Sequence, residues 1–231
     1  MISMFLRKWN DLPDFMKCDE VRPYYEILKK KKGSLVLKRG FDVIASLFLI
    51  IILAIPMGVI AIWIKLDSKG PVFFRQRRVT TYGKVFRIHK FRTMVDKAEN
   101  LGTSVTVESD SRITKVGAKL RKYRIDEFPQ IFDILAGNMS FVGTRPETVK
   151  YVGRYTNEMK ATLLLPAGIT SEASIYYKDE ATWLSKTEDI DRIYVEEILP
   201  GKMRINLESI RQFNFLKELG IMLKTVCAVL Q

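Results

Sequence analysis

The chain has 231 residues, 47% of them hydrophobic, with a formal net charge of +12 and a pI near 9.6. That length holds one domain of good size, with or without an appendage, and the charge points to an anionic partner: nucleic acid, acidic lipid or a phosphorylated substrate. Cys18 and Cys227, at opposite ends, have no metal or redox spacing and read as free thiols of a reducing compartment; the lone His89 excludes a multi-histidine metal site and reads as a surface residue.

Residues 1–34 form a mixed extension, basic and aromatic in "FLRKW" and closing on the lysine run of "LKKKKGS". The run suits a solvated linker and a membrane surface equally, and the extension has room for a short interfacial helix. Residues 41–65 then read "FDVIASLFLIIILAIPMGVIAIWIK", with no charge from 43 to 64. This is a membrane helix by length and apolarity, and too far from the start for a secretory signal. Basic residues flank both ends, whereas a spanning helix usually shows excess positive charge on one side. Pro56 predicts a kink or break, because it removes a backbone donor and collides with the carbonyl of Ile52. Re-entry into one leaflet fits both features; a tilted, kinked spanning helix is the alternative.

Beyond it, "GPVFFRQRRV" and "GKVFRIHKFRTM" predict two short strands joined by a turn at residues 81–83. Alternation puts Val85, Arg87, His89 and Phe91 on one face of the second strand and Phe86, Ile88 and Lys90 on the other. The seven basic residues of this hairpin exceed what solubility requires. Residues 96–112 read as a polar loop after a brief helix, and "VGAKLRKYR" as a further helix. In "YRIDEFPQIFDILAG", Phe128, Ile131, Phe132 and Leu135 follow the i, i+3, i+4, i+7 pattern of a helix that Gly137 stops. The pair Asp126 and Glu127 has two readings. Asp126 suits an N-cap, with Pro129 in the first turn and Glu127 at the positive end. Set among cations, it also suits a nucleophile or metal ligand. In the tail, Leu216, Leu219, Leu223, Val226 and Leu230 form a helical stripe, read equally as an interfacial or dimer-forming face and as a face packed on the domain core.

The segments "KRGFDVIASLFLIIILAIP", "GPVFFRQRR", "GKVFRIHKFRTM", "SRITKVGAKLRKYRIDEFPQIFDILAGNMSFVGTRPE" and "LPAGIT" occur in that order. Together they resemble the bacterial sugar transferases, the monotopic phosphoglycosyl transferases that begin assembly of surface glycans, over about residues 38 to 170. The resemblance implies transfer of a sugar 1-phosphate from a UDP-sugar to polyprenyl (undecaprenyl) phosphate, with UMP released and Mg²⁺ as cofactor. By it, Asp126 is the nucleophile, and Glu127 assists metal binding or deprotonation of the acceptor. Lys90, Arg92 and Arg145, and less directly Arg75 and Gln76, bind phosphate or nucleotide. It also implies a re-entrant helix broken at Pro56, with both ends at the cytoplasmic face of the bacterial inner membrane. Departures are Ile55 where serine is common, "GTRP" for GPRP, "ITSEAS" for ITGxAQ, and Thr80 for glycine; they leave the catalytic pair intact and bear on sugar choice.

The expectation is therefore an α+β protein: a mostly helical small cytoplasmic domain with a short β-hairpin, a re-entrant membrane helix and interfacial amphipathic helices. The segments are an extension at 1–34, the membrane helix at 35–66, the catalytic domain at 67–185 and a helical tail at 186–231. Expected partners are the UDP-sugar, polyprenyl phosphate and membrane lipids, with a homodimer allowed and no nucleic acid. The rivals are a membrane-tethered nucleic-acid binder, which lacks a recognisable motif, and a catalytically silent scaffold of the same fold, against which the intact Asp126–Glu127 pair argues.

Overall fold

The structure is a computed structural model that describes residues 6–96, 98, 110–184 and 189–230, without the side chains of residues 181, 229 and 230. Most of the loop expected at 96–112 and the side chain of Leu230 therefore lie outside the described residues.

The largest core joins the two ends of the chain. Helix α1 (Arg22–Lys30) starts with a proline in its first turn and ends on Lys29 and Lys30, which favour the negative end of the helix dipole. It buries Tyr24, Tyr25 and Leu28. These pack with Met16 and Val21 from the preceding turns, Leu163 and Leu164 from the middle of the chain, and Leu199, Met203, Leu207 and Ile210 of a C-terminal helix. The extension is therefore built into the domain. The apolar face of α1 is spent on this core, contrary to an interfacial role, and the exposed lysines of residues 29–32 link it to the next helix.

Helix α2 (Lys32–Asp67) stays helical through Pro56, so of the expected kink or break the helix is not broken there; proline is tolerated in apolar helices where the freed carbonyl finds another partner. At ~1.5 Å per residue the helix is about 54 Å long. Both of its ends are fastened to the domain. At the first, Lys38 Nζ donates to Val142 O and the Glu218 carboxylate (both 2.7 Å), Arg39 donates to Ile134 O and Leu135 O, and Asp42 accepts from Ser140 Oγ. At the second, Ile64 packs with Phe91, Val116 and Leu120, and Asp67 accepts from Val116 N. Between them Ile44, Phe48, Ile51, Ile55, Val59 and Ile62 are exposed.

Strands β1 (Phe73–Val79) and β2 (Val85–Phe91) form the expected antiparallel hairpin, with Phe73 opposite Phe91 and Val79 opposite Val85, turning at Thr81–Gly83. The alternation holds: Phe86 and Ile88 are buried and Val85 and Arg87 exposed. Phe91 is buried too, because it meets α2 and helix α3 (Lys115–Lys122) beyond the sheet. After α3, a 3₁₀ turn at Ile125–Glu127 leads into α4 (Gln130–Leu135), which Gly137 terminates at φ 77° as predicted.

A second sheet, absent from the sequence reading, pairs β3 (Met139–Val142) with β4 (Ala167–Thr170) in parallel. Gly143 and Gly168 make it possible, since a Cβ on Gly168 would lie 2.1 Å from Gly143 N. Thr80 ties the two sheets: its hydroxyl donates to Asn138 O (2.6 Å) and accepts from Ala167 N (3.1 Å). The remaining helices are α5 (Val149–Val152), α6 (Glu172–Tyr176), α7 (Glu180–Leu184), α8 (Ile190–Ile193), α9 (Leu199–Arg211) and α10 (Phe215–Leu230). Ser171, within the divergent "ITSEAS", caps α6 by accepting from Ser174 N. Helix α10 turns Glu218, Ile221 and Thr225 inward, whereas Leu216, Leu223 and Val226 are exposed. Of the stripe, Leu216, Leu223 and Val226 do not pack on the domain's own core, and Leu219 is half-buried.

Candidate active site

A cavity of about 730 Å³ opens between the hairpin, the Ile125–Glu127 turn and the helices from α6 onward. It is within the size range of small-molecule sites. Asp126, Glu127, Lys90, Arg92, Arg145, Arg75 and Gln76, all singled out from the sequence, line it together.

The centre is the 3₁₀ turn. Arg124, immediately before it, sits in the left-handed region at φ 53°, ψ 22°, a conformation uncommon for a non-glycine residue and one that collects at functional sites. Asp126 lies inside this turn and caps no backbone donor, so the N-cap reading is corrected. Pro129 supplies no N–H, and the α-helix proper starts after it. The helix is also rotated from its predicted face: Gln130, Ile131, Asp133 and Ile134 are buried and Phe132 is exposed. Asp133 is turned inward because it holds the hairpin, accepting from His89 N (2.8 Å) and bonding His89 Nδ1 (2.9 Å). His89, expected at the surface, is a half-buried strut outside the cavity lining.

Adjacent residues of a 3₁₀ turn point about 120° apart, and the two carboxylates have opposite surroundings. Glu127 accepts from Lys90 Nζ (2.9 Å) and forms a two-pronged ion pair with Arg145. Burial pushes its pKa up, but Arg145 and Lys90 overcome this and hold it well below the usual carboxylate range. Asp126 is equally buried, and among the described residues no group donates a hydrogen bond to its carboxylate. Burial raises its pKa, Glu127 adds to the rise, and Lys90 and Arg121 oppose it. Burial lowers the pKa of Lys90, against the pull of Glu127. Glu127 raises that of Arg145.

The other predicted residues divide. Arg92 lines the cavity, but its guanidinium is buried on the end of α2, donating to Ser68 O (2.7 Å), Ser68 Oγ (3.0 Å) and Lys69 O. Gly70 makes room for it, as a Cβ there would overlap Arg92 Nη1. Arg92 thereby fastens the end of α2 to the site. Gln76 accepts from Arg78 (2.6 Å), which also donates to Pro146 O (3.1 Å) and so supports the Arg145 turn from below. Arg75 is exposed at the rim.

Sequence reasoning missed two groups. Arg121, Lys122 and Arg124 add cations to the lining; their place directly upstream of the motif was the available signal. Tyr177, Glu180, Tyr194 and Lys202 reach the cavity from the C-terminal helices, and no local pattern marked them.

A family model described as bacterial sugar transferase matches residues 33–231. The chain is 35% identical over 162 residues to the uncharacterized sugar transferase EpsL of Bacillus subtilis, covering 70% of this chain and 79% of that protein. It is 42% identical over 123 residues to a UDP-N-acetylgalactosamine-undecaprenyl-phosphate N-acetylgalactosaminephosphotransferase of Aeromonas hydrophila, covering 53% and 29% respectively. It is 30% identical over 194 residues to the UDP-glucose:undecaprenyl-phosphate glucose-1-phosphate transferase of Escherichia coli, covering 83% and 39%. The match thus spans most of the first relative and well under half of the other two. With a match that runs from the start of the long apolar helix α2 to residue 231, the chain belongs to the bacterial sugar transferase family.

Proposed function

We propose that the protein transfers a sugar 1-phosphate from a UDP-sugar to undecaprenyl phosphate, releasing UMP, as a membrane step of surface-glycan assembly. Two relatives are named for reactions of this kind. The observation that carries the reading is the contrast within the pair: Asp126 buried and without a hydrogen bond, Glu127 fixed between two cations, both in a cation-lined cavity.

The chemistry follows in two displacements. Arg145 and Lys90, held in place by Glu127, receive the diphosphate. An oxygen of Asp126 attacks the phosphorus that bears the sugar; the bond to UMP breaks and UMP leaves with the electron pair. A phosphate oxygen of the lipid then attacks the same phosphorus, the acyl-phosphate bond breaks, and Asp126 returns as a carboxylate. Two anionic substrates need never occupy the site together, and fixed cations meet the charge where it develops. Desolvation makes Asp126 a better nucleophile once it is ionised.

Mg²⁺ fits with one ligand rather than two. Among the described residues no three His, Cys, Asp or Glu side chains converge as a metal cluster, and the Glu127 carboxylate is already engaged by Lys90 and Arg145. Asp126 remains open, and Mg²⁺ commonly takes one carboxylate together with substrate phosphates. Asp126 and the donor diphosphate would hold the ion, which would neutralise charge on the leaving phosphate.

The exposed middle of α2 sits in one leaflet with both ends on the cytoplasmic side, and the stripe of α10 lies at the same boundary. This placement is supported by the anchoring of both helix ends on one domain, by basic residues at both flanks, and by the contact of Phe41 with Phe215 at the start of α10. Single cysteines at Lys32 and Lys69, in a background without Cys18 and Cys227, test it in intact cells. Both stay unlabelled by an impermeant reagent; labelling of one alone establishes a spanning helix.

The activity test is incubation of the full chain in vesicles containing undecaprenyl phosphate with a panel of UDP-sugars. At least one yields UMP and a lipid-linked sugar. Absence of transfer across the panel, with lipid acceptor and Mg²⁺ present, overturns the proposal.

A further inference from the structure

The part of the cavity wall built by the C-terminal helices has three unusual features. The first is a π-helical turn at Tyr194–Ile198, between α8 and α9; such turns are rare and gather at functional sites. The second is Gly201 in the first turn of α9, against which Tyr177 Oη packs so closely that a Cβ there would lie 2.1 Å from it and displace the tyrosine. The third is Lys202, a lysine only 6% exposed, paired with the Glu180 carboxylate and lying 5.2 Å from the centre of the Tyr194 ring. Tyr194 in turn donates to Glu147 Oε1 (2.6 Å), two residues after Arg145.

Stability does not account for this arrangement. Replacing a buried ion pair by apolar side chains of similar volume is often neutral or stabilising, and the core beneath, with Leu199 and Met203, is already apolar. The wall also differs in chemistry from the catalytic side. Lys202 is matched by Glu180, which leaves an ammonium donor beside a carboxylate acceptor, with the Tyr177 hydroxyl packed against the neighbouring Gly201. A neighbouring donor and acceptor suit vicinal hydroxyls, and a tyrosine ring suits the apolar face of a sugar. The surplus cations Arg121, Lys122 and Arg124 enter the lining from a different segment, just ahead of the catalytic pair.

We propose that Lys202, Glu180 and Tyr177 form the subsite that holds the hexose ring of the donor and determines which sugar is transferred. This rests on the reading that the cavity takes a nucleotide diphosphate sugar. It places sugar choice in the C-terminal helices rather than in the motif-bearing stretch, and the divergent "ITSEAS" starts the same wall. The names of the relatives differ in the sugar, N-acetylgalactosamine in one and glucose in another.

The test uses the full chain in vesicles with Lys202→Met and, should that variant fold poorly, Glu180→Gln. Each is assayed with UDP-N-acetylglucosamine, UDP-N-acetylgalactosamine, UDP-glucose and UDP-galactose, with UMP as product inhibitor. The expected result is a fall of ~10- to 100-fold in kcat/KM for the preferred donor and a changed ratio between donors, as for lost contacts to a substrate hydroxyl. Inhibition by UMP, which lacks the sugar, stays within about twofold, a split that damage to the fold would not produce. An unchanged donor ratio in an active variant overturns the subsite alone. Loss of UMP inhibition in parallel overturns it too, by placing the nucleotide on this wall. No transfer by the wild-type chain from any donor overturns the parent reading.

Discussion

The two sides of the cavity are built by opposite means. The catalytic side comes from residues 73–146 and rests on two small clusters, one around Phe86, Ile88 and Ile134, the other around Ile64, Phe91 and Leu120. It is held mainly by ion pairs and backbone contacts such as Lys90–Glu127 and Arg92–Ser68. The opposite wall rides on the largest core, to which both ends of the chain contribute. The reactive groups are thus set by short-range charge and turn geometry, and the shape that surrounds them by long-range apolar packing. Substitutions at the catalytic groups should lose chemistry in a folded protein, whereas substitutions in the large apolar core beneath the other wall should lose the fold itself.

The largest effect belongs to Asp126→Asn. Transfer falls by more than ~10³-fold, as for loss of a nucleophile, while the melting temperature does not fall, because the side chain caps nothing and its buried charge is removed. Retained activity, after excluding deamidation, removes the covalent step. Next, Arg145→Lys keeps the charge but loses the planar fork, and should lower kcat by ~10²-fold or more with the chain still folded; steady-state kinetics alongside a thermal melt check both halves. On the other side, Met203→Ala opens a hole in the main core and should cost about 2–5 kcal/mol. Its residual activity should track the folded fraction measured by denaturation. Activity lost at full folding would instead tie α9 to the chemistry directly.

The pH dependence separates the two carboxylates. Burial raises the pKa of Asp126, so the acid limb of kcat/KM should lie above the ordinary aspartate range, with the rate rising as the carboxylate forms. Lys90 opposes that rise, so in Lys90→Met the limb moves to higher pH. Glu127 behaves in the reverse sense. Its folded pKa is depressed, so its contribution to stability is present above its unfolded pKa and lost only as pH falls through the lower folded value. Acid unfolding from this pair should therefore occur below the pH at which activity has already gone. The smallest effect is expected from Leu223→Glu on the exposed stripe of α10: weaker sedimentation with vesicles at unchanged solution stability.

How much was legible in the sequence follows the same division. The β1–β2 hairpin was readable from alternation and a turn, the end of α4 from Gly137, and α2 from unbroken apolarity; all are local signals. Lys90, Arg145, Asp126 and Glu127, singled out through the family resemblance and an excess of cations, line one cavity. The detailed roles were not. Asp126 looked like a cap because N-caps and 3₁₀ turns favour the same residues, and only the left-handed Arg124 and the position of Pro129 separate the two. Arg92 was expected at phosphate from the family resemblance and the local excess of cations, and its contacts to the carbonyls of Ser68 and Lys69 leave no mark in side-chain pattern. The parallel β3–β4 pair and Lys202 depend on contacts across many residues, which no window of the sequence contains.

The most direct test of the covalent reading is intact-protein mass spectrometry on the wild-type chain given Mg²⁺ and its UDP-sugar without lipid acceptor. The account predicts release of UMP up to one equivalent, a mass gain of one phospho-sugar that maps to Asp126, and discharge of that adduct when undecaprenyl phosphate is added. Release of UMP only when both substrates are present, with no adduct on a chain that turns over normally, would contradict it.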